Sequence, residues 1–343
     1  MSKTLFPCTI VGSYAQPDWL MDKAKLKGRF PPRVRARELW RPEDEFLREA
    51  QDDAVRLAIM DQEEAGLDVV TDGEGRRESY SNQFSNALEG IDIDNPGQAL
   101  DRSGEPVYVP RIVGPIRRNG PICVDDAKFL IEHAHRQTKI TVPGPFTMSQ
   151  QAQNDYYPDR AAAAMDYAAA LNAEIKDLHA AGIDIVSIDE PYMQARADEA
   201  RDYGVEAFKR ALEGVTGKTC VHICFGYAAL IHERPHNYHF LPELESTSVN
   251  QISMETAQSN LDPKVLEGLP SKEILLGVIN LADQGVDTVE TIKERVRRGL
   301  KYVDKERIVL APDCGMKYTP RAVAFAKLRN MVQAAEELRQ ELG

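Results

Sequence analysis

Two residues of the kind that bind metal ions, His222 and Cys224, lie one position apart in the apolar run Val221-His222-Ile223-Cys224. On a β-strand this spacing points both side chains to the same face, so an imidazole and a thiolate can approach one ion. A histidine or cysteine in an apolar run is, however, more often an ordinary packed core residue. The pair on its own therefore does not establish a metal site.

Two later apolar runs end in further residues of this kind. Glu255 ends the run that contains Ile252, and Cys314 follows the run that contains Leu310. Together with the first pair they supply a nitrogen, two sulfurs and a carboxylate, which is a ligand set that zinc accepts. The sequence therefore predicts a Zn²⁺ site formed by His222, Cys224, Glu255 and Cys314.

The spacing of these four residues also bears on what the zinc would do. Structural zinc sites usually contain closely spaced Cys-x-x-Cys pairs, whereas here the ligands come from three separate segments. We therefore expect a catalytic site, in which zinc lowers the pKa of a bound thiol and the sulfur ligands keep the thiolate nucleophilic. Hydrolysis by zinc-bound water is the alternative, but the chain contains no His-Glu-x-x-His motif.

Polar side chains also follow three other apolar runs. Asp189 and Glu190 could act as a general acid and base or hold an ammonium group, or they could lie at a solvated strand end that caps a helix. Glu74 could likewise act as an acid or base or hold an ammonium group, or it could pair at the surface with Arg76 and Arg77. Ser13 could bind a carboxylate, although Gly-Ser is also an ordinary turn sequence. The candidate substrate-binding residues are Ser13, Glu74 and Asp189, and Asp189 is also the candidate catalytic residue.

The remaining cysteines and the clustered histidines show no metal-binding pattern. Five cysteines in 343 residues are too few and too scattered for a disulfide framework, so we expect a reducing compartment. Cys8, Cys123 and Cys220 are interpreted as small apolar core residues. Three histidines in the segment 228–246, which is predicted to be a loop, are interpreted as loop residues: His232, His236 and His239.

The chemistry-bearing residues lie at the ends of eight predicted strands. These strands begin near Thr9, Leu67, Lys139, Ile183, Thr219, Ser248, Ile274 and Ile308. Most are followed by a helical pattern, over 43–65, 159–181, 205–212, 263–269, 289–303 and 319–342. Such alternation predicts a (β/α)₈ TIM barrel, whose active sites lie at the carboxyl ends of the strands. A doubly wound sheet is the alternative.

Two segments depart from that alternation. Residues 91–118 alternate in polarity and contain Asn-Pro-Gly and Ser-Gly, which predicts a hairpin inserted after the second strand. Residues 23–41 are basic and contain prolines without a clear period, which predicts a loop. We interpret residues 1–343 as a single catalytic domain, because barrels of this length commonly form one unit.

Composition excludes several classes of partner. A net charge of −12 argues against a nucleic acid or an anionic membrane, which require a basic surface. No apolar run reaches the length of a membrane span, and the first ten residues do not resemble a secretion signal. We therefore expect a cytoplasmic protein that acts on a small molecule. The sequence leaves open whether it forms a homo-oligomer.

Seven short motifs, taken in order and spacing, resemble the catalytic barrel of the cobalamin-independent methionine synthases. They are Val11-Gly12-Ser13, Asp72-Gly73-Glu74, Gly144-Pro145-Phe146-Thr147, Ile188-Asp189-Glu190-Pro191, Val221-His222-Ile223-Cys224, Ser253-Met254-Glu255-Thr256 and Pro312-Asp313-Cys314-Gly315-Met316-Lys317. The resemblance extends over essentially the whole chain. It implies a (β/α)₈ barrel with zinc bound by His222, Cys224, Glu255 and Cys314.

The resemblance also implies a reaction and roles for individual residues. Asp189 and Glu74 would hold the amino group of homocysteine, and Ser13 would hold its carboxylate. The metal-bound homocysteine thiolate would then attack the methyl group on N5 of a folate, forming methionine.

The chain departs from the family pattern on the side of the methyl donor. Full-length members carry a second, amino-terminal half that helps bind the folate, whereas the resemblance here is to the catalytic half. The family's tryptophan near the folate is replaced at about Gln151, and its histidine after the seventh strand aligns near Ala282. The expected donor is therefore a folate held differently, a methylated corrinoid protein or another small donor.

The resemblance also leaves open which thiol is the acceptor, because related zinc barrels differ in the thiol that they use. Some alkylate other thiols, including one that opens epoxides with coenzyme M. The alternatives to homocysteine methylation are therefore alkyl transfer to a different thiol, a demethylation reaction, or a non-catalytic zinc protein that binds a partner.

Overall fold

The computed structural model describes residues 4–26, 32–102, 104–226, 238, 241–259 and 261–343. Its strands are β1 (Val69–Thr71), β2 (Glu89–Leu100), β3 (Pro106–Arg117), β4 (Gln137–Pro143), β5 (Gln153–Asn154), β6 (Ile185–Asp189), β7 (Lys218–Ile223), β8 (Gln251–Met254), β9 (Glu273–Ile279) and β10 (Ile308–Pro312). Seven of them form one parallel sheet in the order β1-β4-β6-β7-β8-β9-β10. Neighbours in this sheet follow one another along the chain, which excludes a doubly wound order.

The amino-terminal segment 7–9 closes this sheet into a barrel. The Thr9 amide donates to the Leu310 carbonyl of β10 at 3.0 Å, and the amides of Asp68 and Val69 donate to the Cys8 carbonyl at 3.0 and 3.2 Å. The segment thus joins the last strand of the sheet to the first and acts as the eighth strand. The predicted (β/α)₈ barrel is confirmed.

The first strand is shorter than the predicted run from Thr9 to Tyr14. Beyond Thr9, the Ile10 carbonyl accepts from Lys139 Nζ at 2.5 Å and the Gly12 carbonyl from Thr71 Oγ1 at 2.8 Å, while the Tyr14 amide donates to the Gly73 carbonyl at 3.0 Å. These contacts turn the chain so that Gly12 and Ser13 reach the mouth of the barrel.

Helices cover the outside of the barrel. They are α1 (Lys23–Leu26), α2 (Asp44–Ala65), α3 (Asn82–Ser85), α4 (Val124–His133), α5 (Pro145–Gln150), α6 (Arg160–Ala180), α7 (Pro191–Ala195), α8 (Ala197–Glu199), α9 (Val205–Ala211), α10 (Leu241–Glu245), α11 (Val289–Gly299) and α12 (Arg321–Leu342). Three 3-10 turns, Arg37–Leu39, Pro263–Gly268 and Lys305–Arg307, and one π-helical turn, Ala200–Gly204, complete the described elements. Among them, no helix has both the length and the apolar character needed to span a bilayer.

Three helical segments differ from the sequence prediction. Helix α4 was not predicted, because its short amphipathic stretch contains three acidic residues and one histidine within ten positions. The predicted loop 23–41 contains α1 and a 3-10 turn, and packs through Leu26, Leu39 and Trp40 into a small apolar cluster of its own. Of the predicted loop 228–246, residues 228–237 and 239–240 lie outside the described part, and α10 occupies most of the remainder.

The predicted hairpin after the second barrel strand is confirmed. Strands β2 and β3 pair antiparallel, and β5 adds to the edge of β3. At the tip, the amides of Asp101 and Glu105 close a tight turn, with Gly104 at φ +89°. Arg196, between α7 and α8, donates from Nη2 to the Asp101 carbonyl at 3.2 Å. This contact fixes the hairpin tip beside the carboxyl end of β6.

Candidate functional site

Four side chains from three strand ends meet at the mouth of the barrel. His222 lies on β7 and Cys224 follows it, Glu255 follows β8, and Cys314 follows β10. All four are buried, and one ligand atom from each lies within 4.8 Å of the others. The two sulfur atoms are 3.2 Å apart. The structure therefore brings together the four residues that were predicted to bind zinc.

The surroundings of this cluster fit a tetrahedral metal ion. Nδ1 of His222 is 3.0 Å from Ser253 Oγ, while its Nε2 is buried without a hydrogen-bond partner among the described residues. Metal-binding histidines usually use one ring nitrogen for the ion and hold the other with a hydrogen bond. The amide of Phe225 donates to Glu255 Oε1 at 2.8 Å, which orients that carboxylate. A nitrogen, two sulfurs and an oxygen in this arrangement suit Zn²⁺.

The two thiols have opposite protonation tendencies. Burial raises the pKa of Cys224, but the hydrogen bond with Cys314 and the nearby His222 and Arg102 outweigh it, so the pKa lies well below the usual value. The hydrogen bond to Cys224 and burial raise the pKa of Cys314. The Gly226 amide donates to the Cys224 sulfur at 3.0 Å. The site thus favours a thiolate at Cys224, which is the form that binds a metal.

Asp313 and Tyr238 hold the segments that carry these ligands. The Asp313 carboxylate accepts from the amides of Thr256, Ala257 and Gln258 at 3.0, 3.0 and 2.6 Å. Burial raises the pKa of Asp313 to about 6, although the three amides act in the other direction. The Tyr238 hydroxyl donates to the Ile223 carbonyl at 3.2 Å and accepts from the Glu255 amide at 2.9 Å. Neither role was predicted from the sequence, because the partners lie far apart along the chain.

The three candidate substrate-binding residues line the same cavity as the metal cluster. The walls of this small cavity include Ser13, Glu74, Asp189, His222 and Cys224. Ser13 Oγ, Glu74 Oε2 and Asp189 Oδ1 are buried without hydrogen-bond partners in the described part of the chain. Burial raises the pKa of Glu74, and burial together with the charges of Glu74 and Cys224 raises that of Asp189. Two unpaired carboxyl groups in one pocket are suited to binding a cation.

The backbone at Glu74 is held in a conformation that few side chains adopt. Its φ is +54°, and its amide donates to Asp72 Oδ1 at 3.0 Å. A Cβ atom at Gly12 would lie 2.7 Å from Glu74 Oε1, so glycine leaves room for this carboxylate. Residues that the surrounding structure holds in such strained conformations are common at functional sites.

The proposed surface pairing of Glu74 with its neighbouring arginines is wrong. Glu74 is only 2% exposed. Arg76 pairs instead with Asp52, at 2.7 Å, while Arg77 is buried and donates to the Thr141 carbonyl at 2.6 Å. Both arginines therefore hold the turn that carries Glu74.

Asp189 and Glu190 do not form a catalytic pair. Glu190 is completely buried and accepts from the Phe146 amide at 3.0 Å and from the amide and hydroxyl of Thr147 at 2.8 and 2.7 Å. Its side chain fixes the start of α5, and only Asp189 lines the cavity. Glu190 therefore caps a helix, but the alternative was wrong in two respects: this strand end is buried, and the capped helix is α5, before β6, instead of the one that follows.

The two positions where the family pattern changes have different surroundings. Gln151 is buried and donates from Nε2 to the Tyr80 hydroxyl at 2.5 Å. Ala282 is exposed after β9 and has no side chain able to transfer a proton. His232, His236 and His239 lie outside the described residues, while Cys8, Cys123 and Cys220 are buried and free, as expected of core residues.

Two cavity residues were missed by the sequence reading. Tyr80 follows the turn after Glu74, and Arg102 lies at the hairpin tip. Neither directly follows a barrel strand, so the rule that sites lie at strand ends did not select them. Both depend on how the hairpin folds over the barrel, which no local sequence signal specifies.

Comparisons with known proteins agree with this architecture. The family described as "Cobalamin-independent synthase, Catalytic domain" matches residues 6–337. The methionine synthase of Sulfolobus acidocaldarius is 32% identical over 342 residues, covering 99% of this chain and 94% of that protein. The methionine synthase of Pyrococcus furiosus is 30% identical over 347 residues, covering 100% and 95%.

Solved structures show the same similarity. A B12-independent methionine synthase from Shewanella sp. W3-18-1, in complex with selenomethionine, has a TM-score of 0.90 and 32% identity, covering 98% of this chain and 99% of that one. A methyltransferase from Methanosarcina mazei, at 15% identity and a TM-score of 0.63, shares the fold.

Proposed function

Because this chain belongs to the cobalamin-independent methionine synthase family of methyltransferases, we propose that it methylates the sulfur of homocysteine with the help of a bound zinc ion. Residues 1–343 would act as one catalytic barrel. The observation that carries this proposal is that three residues of the four-ligand cluster, His222, Cys224 and Cys314, line one cavity together with two acids that have unpaired carboxyl oxygens.

Each end of an amino-acid thiol has a complementary group in this cavity. Glu74 and Asp189 would receive the ammonium group by charge-assisted hydrogen bonds, and Ser13 Oγ would donate to the carboxylate. His222, Cys224, Glu255 and Cys314 would hold zinc. Zinc bound there would lower the pKa of the substrate thiol, so that a nucleophilic thiolate exists at neutral pH.

The residues around the sulfur would position it for attack on a methyl group. As the S–CH₃ bond forms, the bond between the methyl carbon and the donor breaks and its electron pair stays on the donor. Asp189 would act here by fixing the amino end of the substrate, and thereby the direction of the sulfur.

For the donor, we propose 5-methyltetrahydrofolate or a related methyl carrier. The exposed Ala282 has no proton to give to a leaving group, and Gln151 is bonded to Tyr80 and offers no aromatic face for stacking. Both observations favour a donor held differently from the family's folate, with a methylated corrinoid protein as the alternative. Production of methionine from homocysteine with each donor, measured by liquid chromatography, separates the two.

Metal analysis tests the zinc assignment. We expect about one zinc per chain in the purified wild type and much less in C314S, because removing one thiolate weakens a four-ligand site severely. C220S is the matched control, since Cys220 is buried on β7 but lies outside the cluster. A wild type without zinc, or C314S with unchanged zinc and thiol binding, would refute the proposal.

Thermal unfolding tests the thiol. Homocysteine should raise the unfolding temperature of the zinc-loaded protein, because a ligand that binds only the folded state stabilises it by mass action. Stabilisation by a different thiol alone would favour alkyl transfer to that thiol. If no thiol changes the zinc coordination shell seen by X-ray absorption, the protein is a non-catalytic zinc protein. Rescue of a methionine auxotroph then tests the activity in cells.

A further inference from the structure

Arg102 reaches the metal cluster from outside the barrel. It lies at the tip of the β2–β3 hairpin, and the cavity lined by Ser13 and Asp189 is also lined by Arg102. The bond from Arg196 to the Asp101 carbonyl fixes the tip in this place. The guanidinium lies 5.9 Å from the centre of the Tyr192 ring, and its positive charge helps to lower the pKa of Cys224.

Two nitrogens of this guanidinium are not used within the protein. Arg102 is partly exposed as a residue, but its Nε and Nη1 are buried and have no hydrogen-bond partner in the described part of the chain. Arg76 binds Asp52, and Arg33 donates to Ser79 Oγ at 3.2 Å. Arg77 also has two nitrogens without hydrogen bonds, Nε and Nη2, but its Nη1 donates to the Thr141 carbonyl at 2.6 Å and its Nη2 lies 3.6 Å from Asp72 Oδ2. A buried donor left unpaired is costly, which indicates that a ligand supplies the acceptor.

The free groups of the cavity match one kind of molecule. The unpaired acceptors are carboxyl oxygens of Glu74 and Asp189, and the unpaired donors are Ser13 Oγ and the two nitrogens of Arg102. An amino-acid thiol brings an ammonium group for the acceptors, a carboxylate for the donors and a sulfur for the metal cluster. Ser13 alone would leave the carboxylate charge uncompensated, whereas a guanidinium supplies both a positive charge and a charge-assisted hydrogen bond.

We propose that Arg102, positioned by the hairpin, binds the carboxylate of the thiol substrate by a charge-assisted hydrogen bond from one of its unpaired nitrogens, Nε or Nη1, and selects thiols that carry this group. This assignment rests on the proposed function, because it names a residue that determines which thiol the same site accepts. The hairpin thereby contributes a specificity residue to a site otherwise built from strand ends.

Two ligands and three variants test the assignment by calorimetry on the zinc-loaded protein. The ligands are L-homocysteine and 3-aminopropane-1-thiol, which has the same amine and thiol but no carboxylate. R102M should weaken L-homocysteine binding about 10- to 100-fold, the usual loss for a charge-assisted hydrogen bond, and leave 3-aminopropane-1-thiol unchanged. R102K should give a smaller loss, because it keeps the charge without the planar fork.

R33M is the matched control. Arg33 is a buried arginine that lies 5.3 Å from the centre of the ring of Tyr80, a cavity residue, but Arg33 itself does not line the cavity. Its removal should leave both affinities unchanged.

The outcomes separate this assignment from the proposed function. Three results would overturn the role of Arg102 alone. R102M could weaken the binding of both thiols equally, weaken the binding of neither, or lose zinc. In each case Arg102 would act on Cys224 or not at all. Failure of the zinc-loaded wild type to bind L-homocysteine would overturn the proposed function and this assignment with it.

Discussion

Asp189 and Glu190 are adjacent in the sequence and have opposite environments. Asp189 faces the cavity with an unpaired oxygen, whereas three donors from Phe146 and Thr147 surround the carboxyl group of Glu190. The alternation of side chains at a strand end produces this difference. Only one of two equivalent acids can therefore contact the substrate.

Glu190 should make stability depend on pH. Burial raises its pKa from 4.5 to about 7, so the folded state holds the proton more tightly than the unfolded state. The resulting stabilisation is complete below the unfolded pKa and disappears as the pH rises through the folded pKa. The free energy of unfolding of the wild type, relative to E190Q, should fall by about 2 kcal/mol from about pH 5.5 to about pH 8.5. Urea unfolding measures the free energy of unfolding of both proteins at each pH. If the difference between wild type and E190Q stays constant or grows as the pH rises, the prediction is contradicted.

Ser253 should increase the affinity of the site for metal, although it does not bind the metal itself. Its Oγ holds His222 Nδ1 at 3.0 Å, which fixes the ring so that Nε2 is available. S253A should weaken zinc binding about 10- to 100-fold in competition with a chelator. S187A is the matched control, because Ser187 is buried on the nearby strand β6 away from the cluster. Equal zinc affinity in both variants would show that this hydrogen bond is irrelevant.

Strand ends and loops differ in how far the sequence predicts them. The four metal-cluster residues could be predicted because parallel strands bring their carboxyl ends to one face, and a His and a Cys two positions apart share one side. Tyr238 and Arg102 could not be predicted, because each is placed by a loop or hairpin whose path depends on distant contacts. The role of Asp313 was hidden for the same reason, since its three amide donors lie over fifty residues earlier.

The loop after β8 depends on a glycine in the neighbouring strand. A Cβ at Gly277 would lie 2.2 Å from Asp313 Oδ1 and 2.6 Å from the Met254 carbonyl. G277A should therefore push Asp313 from its three amides, destabilise the protein by about 2 to 3 kcal/mol and weaken zinc binding. Calorimetric unfolding and zinc titration measure both effects.

Gly268 provides the control for this substitution. A Cβ there meets no atom within 4 Å, so G268A should change neither stability nor zinc affinity appreciably. If G277A behaves like G268A, the space at Gly277 does not constrain the site.

The closed barrel depends on contacts made by its last helix. Arg339 of α12 donates to the carbonyls of Leu5 and Phe6 at 2.7 and 3.0 Å and lies 3.1 Å from Asp68. R339M should loosen the segment 7–9, which joins β10 to β1, and increase hydrogen exchange at its amides. The affinity for the thiol should fall as well, because Ser13 follows this segment by four residues.

R329M is the control, since Arg329 is exposed on the same helix. Mass spectrometry of exchange in peptides covering residues 5–13 measures the difference. Unchanged exchange in R339M would mean that the segment is held by its strand contacts alone.

The cavity is assembled from two sections of chain that are far apart in sequence. The acid-bearing wall comes from segments up to Asp189, and the sulfur-bearing wall starts at His222. A substrate anchored at its amine on one wall and at its thiol on the other is a cross-link between these sections. Bound substrate should therefore slow the local unfolding that separates the strands up to Asp189 from those that follow. The enzyme should then resist proteolysis best when its substrate is bound.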